Sequence, residues 1–266
     1  MITRCRQSGR TLAEMAVVIT VIVLLGSIGL PAIRAFLNSF ESGTGARPVI
    51  SAALASARAI AAKEQKYAGI RFQKAYNPDA PLDPLKASQY MIFIVHDFDK
   101  TGLASGFRAV EGIQPIKLPD SIGVLDSELI RERMISVPTW EPSNNHPVDL
   151  TDLTAFSIIF SPSGKLVIHN VRTRNRDGLR DTSPTVSYDD VFNKKAQVDT
   201  GIGMFYQDDY AALGLGQKLS RRSFIIYDRQ EFKQAYERGQ AYSGYLVKLI
   251  PDEIYINSYT GTMIEK

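Results

Sequence analysis

The sequence has one cysteine, little net charge and none of the common catalytic motifs. Its 266 residues contain only Cys5 as a thiol, so no disulfide can form within the chain. The folded part must therefore be held together by core packing. A chain of this length favours one or two domains and is long enough to bury a sizeable core.

The net charge is only +3, and Arg4 and Arg6 near the N-terminus account for two of these positive charges. Bulk binding to nucleic acid needs a face on which basic residues dominate, and a nearly neutral chain disfavours it. A short basic cluster is formed by Arg172, Arg174, Arg176 and Arg180. It offers contacts to DNA phosphates, but Asp177 and Asp181 dilute it, so we favour a solvated loop.

Motifs for phosphate loops, dinucleotide binding, nucleophilic serine and zinc proteases are missing. The histidines, His96, His146 and His169, lie far apart in the sequence and lack metal-ligand spacing. Asp97 and Asp99 resemble the start of a calcium loop, but its closing glutamate is missing and turn chemistry explains them. We therefore predict no enzyme, no cofactor and no metal site.

Between Glu14 and Arg34 lie 19 residues without a charge, and the helical length of this apolar run approaches the roughly 30 Å of bilayer hydrocarbon. Arg4, Arg6 and Arg10 precede it, which predicts a cytoplasmic N-terminus. Three interpretations compete: a buried core helix, a cleaved secretory signal, and a retained membrane helix with its processing site before the run.

Glu14 favours the third interpretation. An ionised carboxylate at mid-bilayer costs about 2.5–3.5 kcal/mol, and a signal peptide has no use for one. A membrane helix that assembles with copies of itself can use such a carboxylate, because the acid can pair with a positive group on a neighbouring helix. The remaining alternative is that Glu14 reaches the membrane interface.

The segment from Ser8 to Glu14, followed by the apolar run, resembles the leader of type IV prepilins and type II secretion pseudopilins. The resemblance implies cleavage after Gly9 by a prepilin peptidase and methylation of Arg10, where the family usually has phenylalanine. It also implies an assembly role for Glu14, the fifth mature residue. Pro31 matches the proline that the family has at the twenty-second mature residue, and a bend in the helix is expected there.

The rest of the chain is predicted to be α+β. We expect a leader at 1–9, a long transmembrane assembly helix at 10–40 and a periplasmic domain at 41–266. That domain should contain an amphipathic helix at about 48–66 and an antiparallel sheet, with loop insertions at about 76–88 and 172–200. The expected strands include a central one at Tyr90–Val95, a hairpin of 156–160 with 165–169, and one at Tyr245–Leu249. Asp228, followed by Glu231, should cap a short helix. The passage from Ala57 to Phe72 is similar to the helix-to-first-strand segment of minor pseudopilins of the GspH and FimT class.

The resemblance implies a minor pilin or pseudopilin of a type II secretion pseudopilus or type IV pilus. Its implied partners are the prepilin peptidase, other pilin-like subunits and the inner-membrane assembly platform. The implied location is the bacterial inner membrane, with one span and the C-terminal domain in the periplasm. Two alternatives remain: a DNA-capturing minor pilin, and a periplasmic enzyme or sensor with a conventional signal peptide.

Overall fold

The computed structural model describes residues 43–80, 83–136, 147–179, 192 and 217–265. These residues belong to the second of two units into which the chain divides, Glu41–Lys266. The predicted leader, the predicted membrane helix at 10–40 and most of the predicted insertion at 172–200 lie outside the described residues.

The first described element is helix α1, Gly43–Glu64. It begins earlier than the predicted start at 48 and contains Pro48, whose missing N–H leaves the helix one backbone hydrogen bond short. The apolar positions recur at helical spacing and form one buried face, with Ile50, Leu54 and Ala57 at its centre. The helix therefore packs through an alanine-rich face, as its sequence pattern indicates.

Twelve strands follow in the described part of the chain. They are β1 (Ala68–Lys74), β2 (Gln89–His96), β3 (Gly106–Ala109), β4 (Ile116–Lys117), β5 (Ile122–Leu125), β6 (Phe156–Phe160), β7 (Leu166–Val167), β8 (Asn170–Arg174), β9 (Lys218–Leu219), β10 (Ser223–Asp228), β11 (Ile254–Ile256) and β12 (Met263–Glu265). The interspersed helices are α2 (Phe98–Thr101), α3 (Ser127–Ser136), α4 (Pro147–Leu153), α5 (Arg229–Glu237), a π-helical turn (Ala241–Leu246), α6 (Val247–Leu249) and a 3₁₀ turn (Ile250–Asp252).

The strands form two sheets. The larger one has eight strands in the order β7-β6-β1-β2-β3-β8-β9, with β4 also paired to β2. Its described pairs are antiparallel except for β3 with β8, which run parallel. The smaller sheet has the order β12-β11-β10-β5.

The larger sheet curls until its two ends meet. Strands β7 and β8 stand near opposite ends of the strand order, yet only Ile168 and His169 separate them in the chain. Hydrogen bonds close the seam: Ser220 donates its N–H to the carbonyl of His169 and its hydroxyl to that of Val167, each at 2.9 Å. The N–H of Arg221 then reaches the carbonyl of Ser157 in β6 at 2.7 Å.

Three apolar clusters fill the described structure. In the first, α1 packs on the convex face of the curled sheet and on the smaller sheet, with Phe72, Phe93, Phe156 and Phe224 among its large side chains. The second lies between the other face of the smaller sheet and helices α3 to α6, around Phe232. The third fills the concave side of the curled sheet with Ile92, Ile94, Phe107, Ile159, Val171 and Phe192.

The fold-class prediction is wrong. A long apolar N-terminal helix followed by an antiparallel β domain is not what the structure shows. The described residues form a mixed α/β fold with a curled sheet, a parallel strand pair and several helices packed on the smaller sheet. Among them, no helix combines the length and the apolar character needed to cross a membrane.

Local predictions were more successful. The predicted central strand at Tyr90–Val95 is β2, and the predicted hairpin after Phe156 is β6 with β7. Asp228 caps α5 through its side chain, which accepts the N–H groups of Gln230 and Glu231. The predicted strand at Tyr245–Leu249 is wrong, because this segment is helical and buries Leu246 beside Phe232.

Candidate functional site

The four residues predicted for processing and assembly, Gly9, Arg10, Glu14 and Pro31, lie outside the described residues. Candidate sites in the described domain are a groove beside α1, a pair of histidines at the sheet seam and a buried cluster of charges. Each is built from elements that are far apart in the sequence.

The groove runs along the exposed side of α1, and the β6–β7 and β11–β12 turns form its opposite wall. Its volume is about 340 Å³. Small side chains line the helix wall at Ser51, Ala55, Ala59 and Ala62. The spacing of these residues follows the helical repeat, so they present one continuous strip without bulky side chains.

Arg58 also lines this groove and ties both turns to the helix. Its Nε donates to the carbonyl of Gly164 at 2.9 Å, and its Nη1 donates to the carbonyl of Thr260 at 2.8 Å. Gly164 and Gly261 have φ values of +75° and +70°, a conformation that favours glycine. A Cβ atom at Gly164 would also lie 2.8 Å from Nε of Arg58. The groove wall therefore depends on one arginine and two glycines.

His96 and His169 meet at the seam of the curled sheet. Their ring centroids are 5.9 Å apart, and both rings contact Phe107 and Tyr67. Nothing in their sequence spacing indicates this pairing, because it results from the closure of the sheet. His146 lies outside the described residues.

Asp97, considered as a calcium ligand from the sequence, caps α2 and is nearly buried. Nε of Arg108 donates to its carboxylate at 2.7 Å, and Nζ of Lys66 lies 3.7 Å away. Burial opposes ionisation, but the hydrogen bonds and charges of Arg108, Lys100 and Lys66 together hold the pKa of Asp97 below its ordinary value.

The side chain of Asp99 is exposed. Within the described ranges, no group of three or more His, Cys, Asp or Glu side chains could hold a metal ion. The carboxylate of Asp97 is thus engaged in a helix cap and an ion pair.

Two arginines of the basic cluster at 172–180, Arg174 and Arg176, donate hydrogen bonds to other parts of the domain. Nη1 of Arg174 donates to the carbonyls of Thr101 and Gly178 at 2.7 and 3.1 Å. Nη2 of Arg176 donates to the carbonyl of Ile113 at 2.6 Å. Arg180 lies outside the described residues. Arg174 thus ties this loop to α2, and Arg176 ties it to the segment between β3 and β4. Both guanidinium groups are engaged within the domain.

The concave side of the curled sheet contains a buried cluster of charges that the sequence did not reveal. Arg71 is fully buried, and it donates to Oε1 of Gln73 at 2.8 Å and to the hydroxyl of Ser157 at 3.3 Å. Asp152 lies nearby and pairs with Arg133 at 2.7 Å and with Lys218.

Burial lowers the pKa of Arg71 to about 9, although the charge of Asp152 opposes this shift. Burial also lowers the pKa of Lys218, again against the attraction of Asp152. Arg71 remains largely protonated at neutral pH, because a pKa of about 9 still lies above 7. The cluster therefore links β1, α4 and β9 by charge.

No protein-family model, no curated protein and no solved structure matches the chain. The resemblance to prepilins thus rests on the sequence of the N-terminal segment and of the passage from Ala57 to Phe72, and it stays a prediction.

Proposed function

We propose that the protein is a minor pilin-like or pseudopilin-like structural subunit, held in the bacterial inner membrane by its apolar N-terminal segment. The observation that carries this proposal is the placement of Gly9, Glu14 and Pro31 relative to a run without charge. A prepilin peptidase would cut after Gly9, and Glu14 of one subunit would neutralise the new amine of Arg10 on its neighbour.

Features of the described domain support a structural role. The small side chains along α1 allow another subunit to approach the helix backbone closely, as small residues do where membrane helices pack together. Arg58 stiffens the opposite wall of that groove through two carbonyl contacts. A groove with a fixed wall and a strip of small residues suits packing against a protein partner.

The described contacts weigh against DNA capture through the basic cluster. Two of its four arginines, Arg174 and Arg176, donate to backbone carbonyls of the same domain. Releasing them to bind phosphates would leave those carbonyls without these donors. We therefore propose protein subunits, the processing peptidase and an inner-membrane assembly platform as partners, and no catalytic activity.

Mass spectrometry of the mature N-terminus tests the proposal. The full chain is produced with a prepilin peptidase, and we expect a mature form that starts at Arg10 and carries one methyl group. A Gly9→Val variant should keep the leader, because the bulky side chain blocks the cut. A mature chain that starts near Leu30 would identify a conventional secretory signal and refute the proposal.

A further inference from the structure

We propose that His96 and His169 form a two-imidazole site for a divalent late first-row transition ion such as Cu²⁺, Ni²⁺ or Zn²⁺. His96 ends β2, and His169 lies in the two-residue link between β7 and β8. The closure of the curled sheet brings the two rings together from positions that are far apart in the sequence. This inference is independent of the proposed function.

Backbone carbonyls fix the tautomer of each ring. Nε2 of His96 lies 2.9 Å from the carbonyl oxygen of Ala104, and Nδ1 of His169 lies 2.5 Å from that of Asn170. A carbonyl only accepts hydrogen bonds, so each of these nitrogens must carry the proton. The lone pairs then reside on Nδ1 of His96 and Nε2 of His169. A ring that donates one N–H to a carbonyl and offers the other nitrogen is the usual state of a metal-bound histidine.

The separation of the rings fits a shared ion. With metal–nitrogen bonds of about 2.0–2.1 Å, two imidazoles on one ion at tetrahedral or somewhat wider angles have centroids about 5–6 Å apart. The observed separation is 5.9 Å. The separation of the two rings is therefore the one that a shared ion requires.

The surroundings hold both rings in place and leave them accessible. Tyr67 packs on His169 with centroids 4.7 Å apart, and Phe107 stands edge-on to both imidazoles. Both histidines are only partly buried, so an ion can enter from solvent. Asp97 follows His96 directly in the chain, and its carboxylate pairs with the cations of Lys66 and Arg108.

Two protein ligands leave coordination positions for water, which predicts a labile site. The Irving–Williams order predicts that Cu²⁺ binds more tightly than Ni²⁺ or Zn²⁺. A site of this kind adds a cross-link between the end of β2 and the seam, so the bound ion should stabilise the closed sheet.

Calorimetric titration of the full chain with CuCl₂ and NiCl₂ tests the site. The protein carries no affinity tag and has Cys5→Ser, so that neither a tag nor the thiol binds the metal. We expect one ion per chain. His96→Phe and His169→Phe keep an aromatic ring against Tyr67 and Phe107 but remove the ligand, and each should weaken binding by more than about tenfold. The matched control His146→Phe should bind as the unmodified chain does.

The paramagnetic resonance spectrum of the Cu²⁺-loaded chain gives a readout that needs no variant. Two imidazole nitrogens should couple to the copper electron. A spectrum without imidazole coupling, or binding that persists unchanged in both His96→Phe and His169→Phe, would overturn the proposal. If both variants fail to fold, the nitrogen count in the unmodified chain still decides the question.

Discussion

The side-chain amide of Gln89 hydrogen-bonds both backbone groups of Val124, in the manner of a neighbouring strand. Its Nε2 donates to the carbonyl of Val124 at 2.8 Å, and its Oε1 accepts the N–H of Val124 at 2.7 Å. Gln89 begins β2 in the curled sheet, whereas Val124 lies in β5 at the edge of the smaller sheet. One buried side chain thus connects the two sheets.

Replacing Gln89 with leucine should lower the free energy of unfolding. The amide also donates to the carbonyl of Thr154 at 2.9 Å, so the change leaves three buried backbone groups without this partner. Each such group costs about 1–3 kcal/mol unless it finds another partner. Urea denaturation measures the loss, and Gln234→Leu on the exposed side of α5 is the control. Equal stability of the two variants would contradict a connecting role for Gln89.

Arg58→Lys should loosen both turns of the groove. A lysine offers one ammonium in place of the planar fork and cannot hold the carbonyls of Gly164 and Thr260 in the same geometry. We expect a loss of about 0.5–1.5 kcal/mol for each bond that is broken. Hydrogen exchange should rise at 161–164 and 257–262. The control is Lys63→Ala on the same helix, which should leave hydrogen exchange at these turns unchanged. Exchange in Arg58→Lys that is as slow as in the unmodified chain would refute the prediction.

Lys74 predicts a stability that rises with pH. Its side chain is fully buried, and its ammonium shares the carbonyl of Ala87 with Arg229, at 3.1 and 3.0 Å. Burial, and then the charge of Arg229, hold the pKa of Lys74 well below its ordinary value, against the attraction of Asp83. The unfolded chain, with a lysine pKa of about 10.4, therefore binds this proton more tightly than the folded chain.

The free energy of unfolding should therefore rise with pH between the pKa of Lys74 in the folded chain and its value of about 10.4 in the unfolded chain. The slope is at most about 1.4 kcal/mol per pH unit. Lys74→Met removes this slope. Urea denaturation at several pH values between 7 and 9.5 (about one to three units below the unfolded pKa) should show that the advantage of Lys74→Met shrinks as pH rises. A stability difference between Lys74→Met and the unmodified chain that does not change with pH would contradict the prediction. The control is the exposed Lys63→Met, whose free energy of unfolding should vary with pH as that of the unmodified chain does.

Glu14→Leu should separate processing from assembly. If Glu14 pairs with the amine of Arg10 on a neighbouring subunit, the variant is still cleaved after Gly9 but enters filaments poorly. The isosteric Glu14→Gln removes only the charge and should show the same defect. Filament fractions can be compared by immunoblotting, with the mature N-terminus checked in parallel. Normal incorporation of either variant would rule out the charge pairing.

Local signals in the sequence were sufficient for several elements. The helical spacing of alanines predicts α1, and Asp228 followed by Glu231 predicts the start of α5. These elements are determined by neighbours along the chain, so their residues carry the necessary information. The start of α1 was misplaced, because Pro48 is normally a marker of the first turn and here lies inside the helix.

The buried charges and the histidine pair were not predictable in the same way. The alternation Ile70-Arg71-Phe72-Gln73 is typical of a strand with one solvated face, which would expose Arg71. The curled sheet buries both faces, and Arg71 becomes fully buried. Likewise, Tyr245–Leu249 has the composition of a strand but is helical. The helical conformation places Leu246 in the apolar cluster around Phe232. In each case a contact distant in sequence decided the outcome.

The seam at Ser220 has a consequence for behaviour at high local concentration. Open sheet edges are templates for strand exchange between identical molecules, and closing a sheet on itself removes them. Here the backbone groups of Val167 and His169 at one end are taken by Ser220 at the other. Neighbouring copies crowded side by side would thus find few free backbone groups at this seam, which protects the fold against runaway β-aggregation.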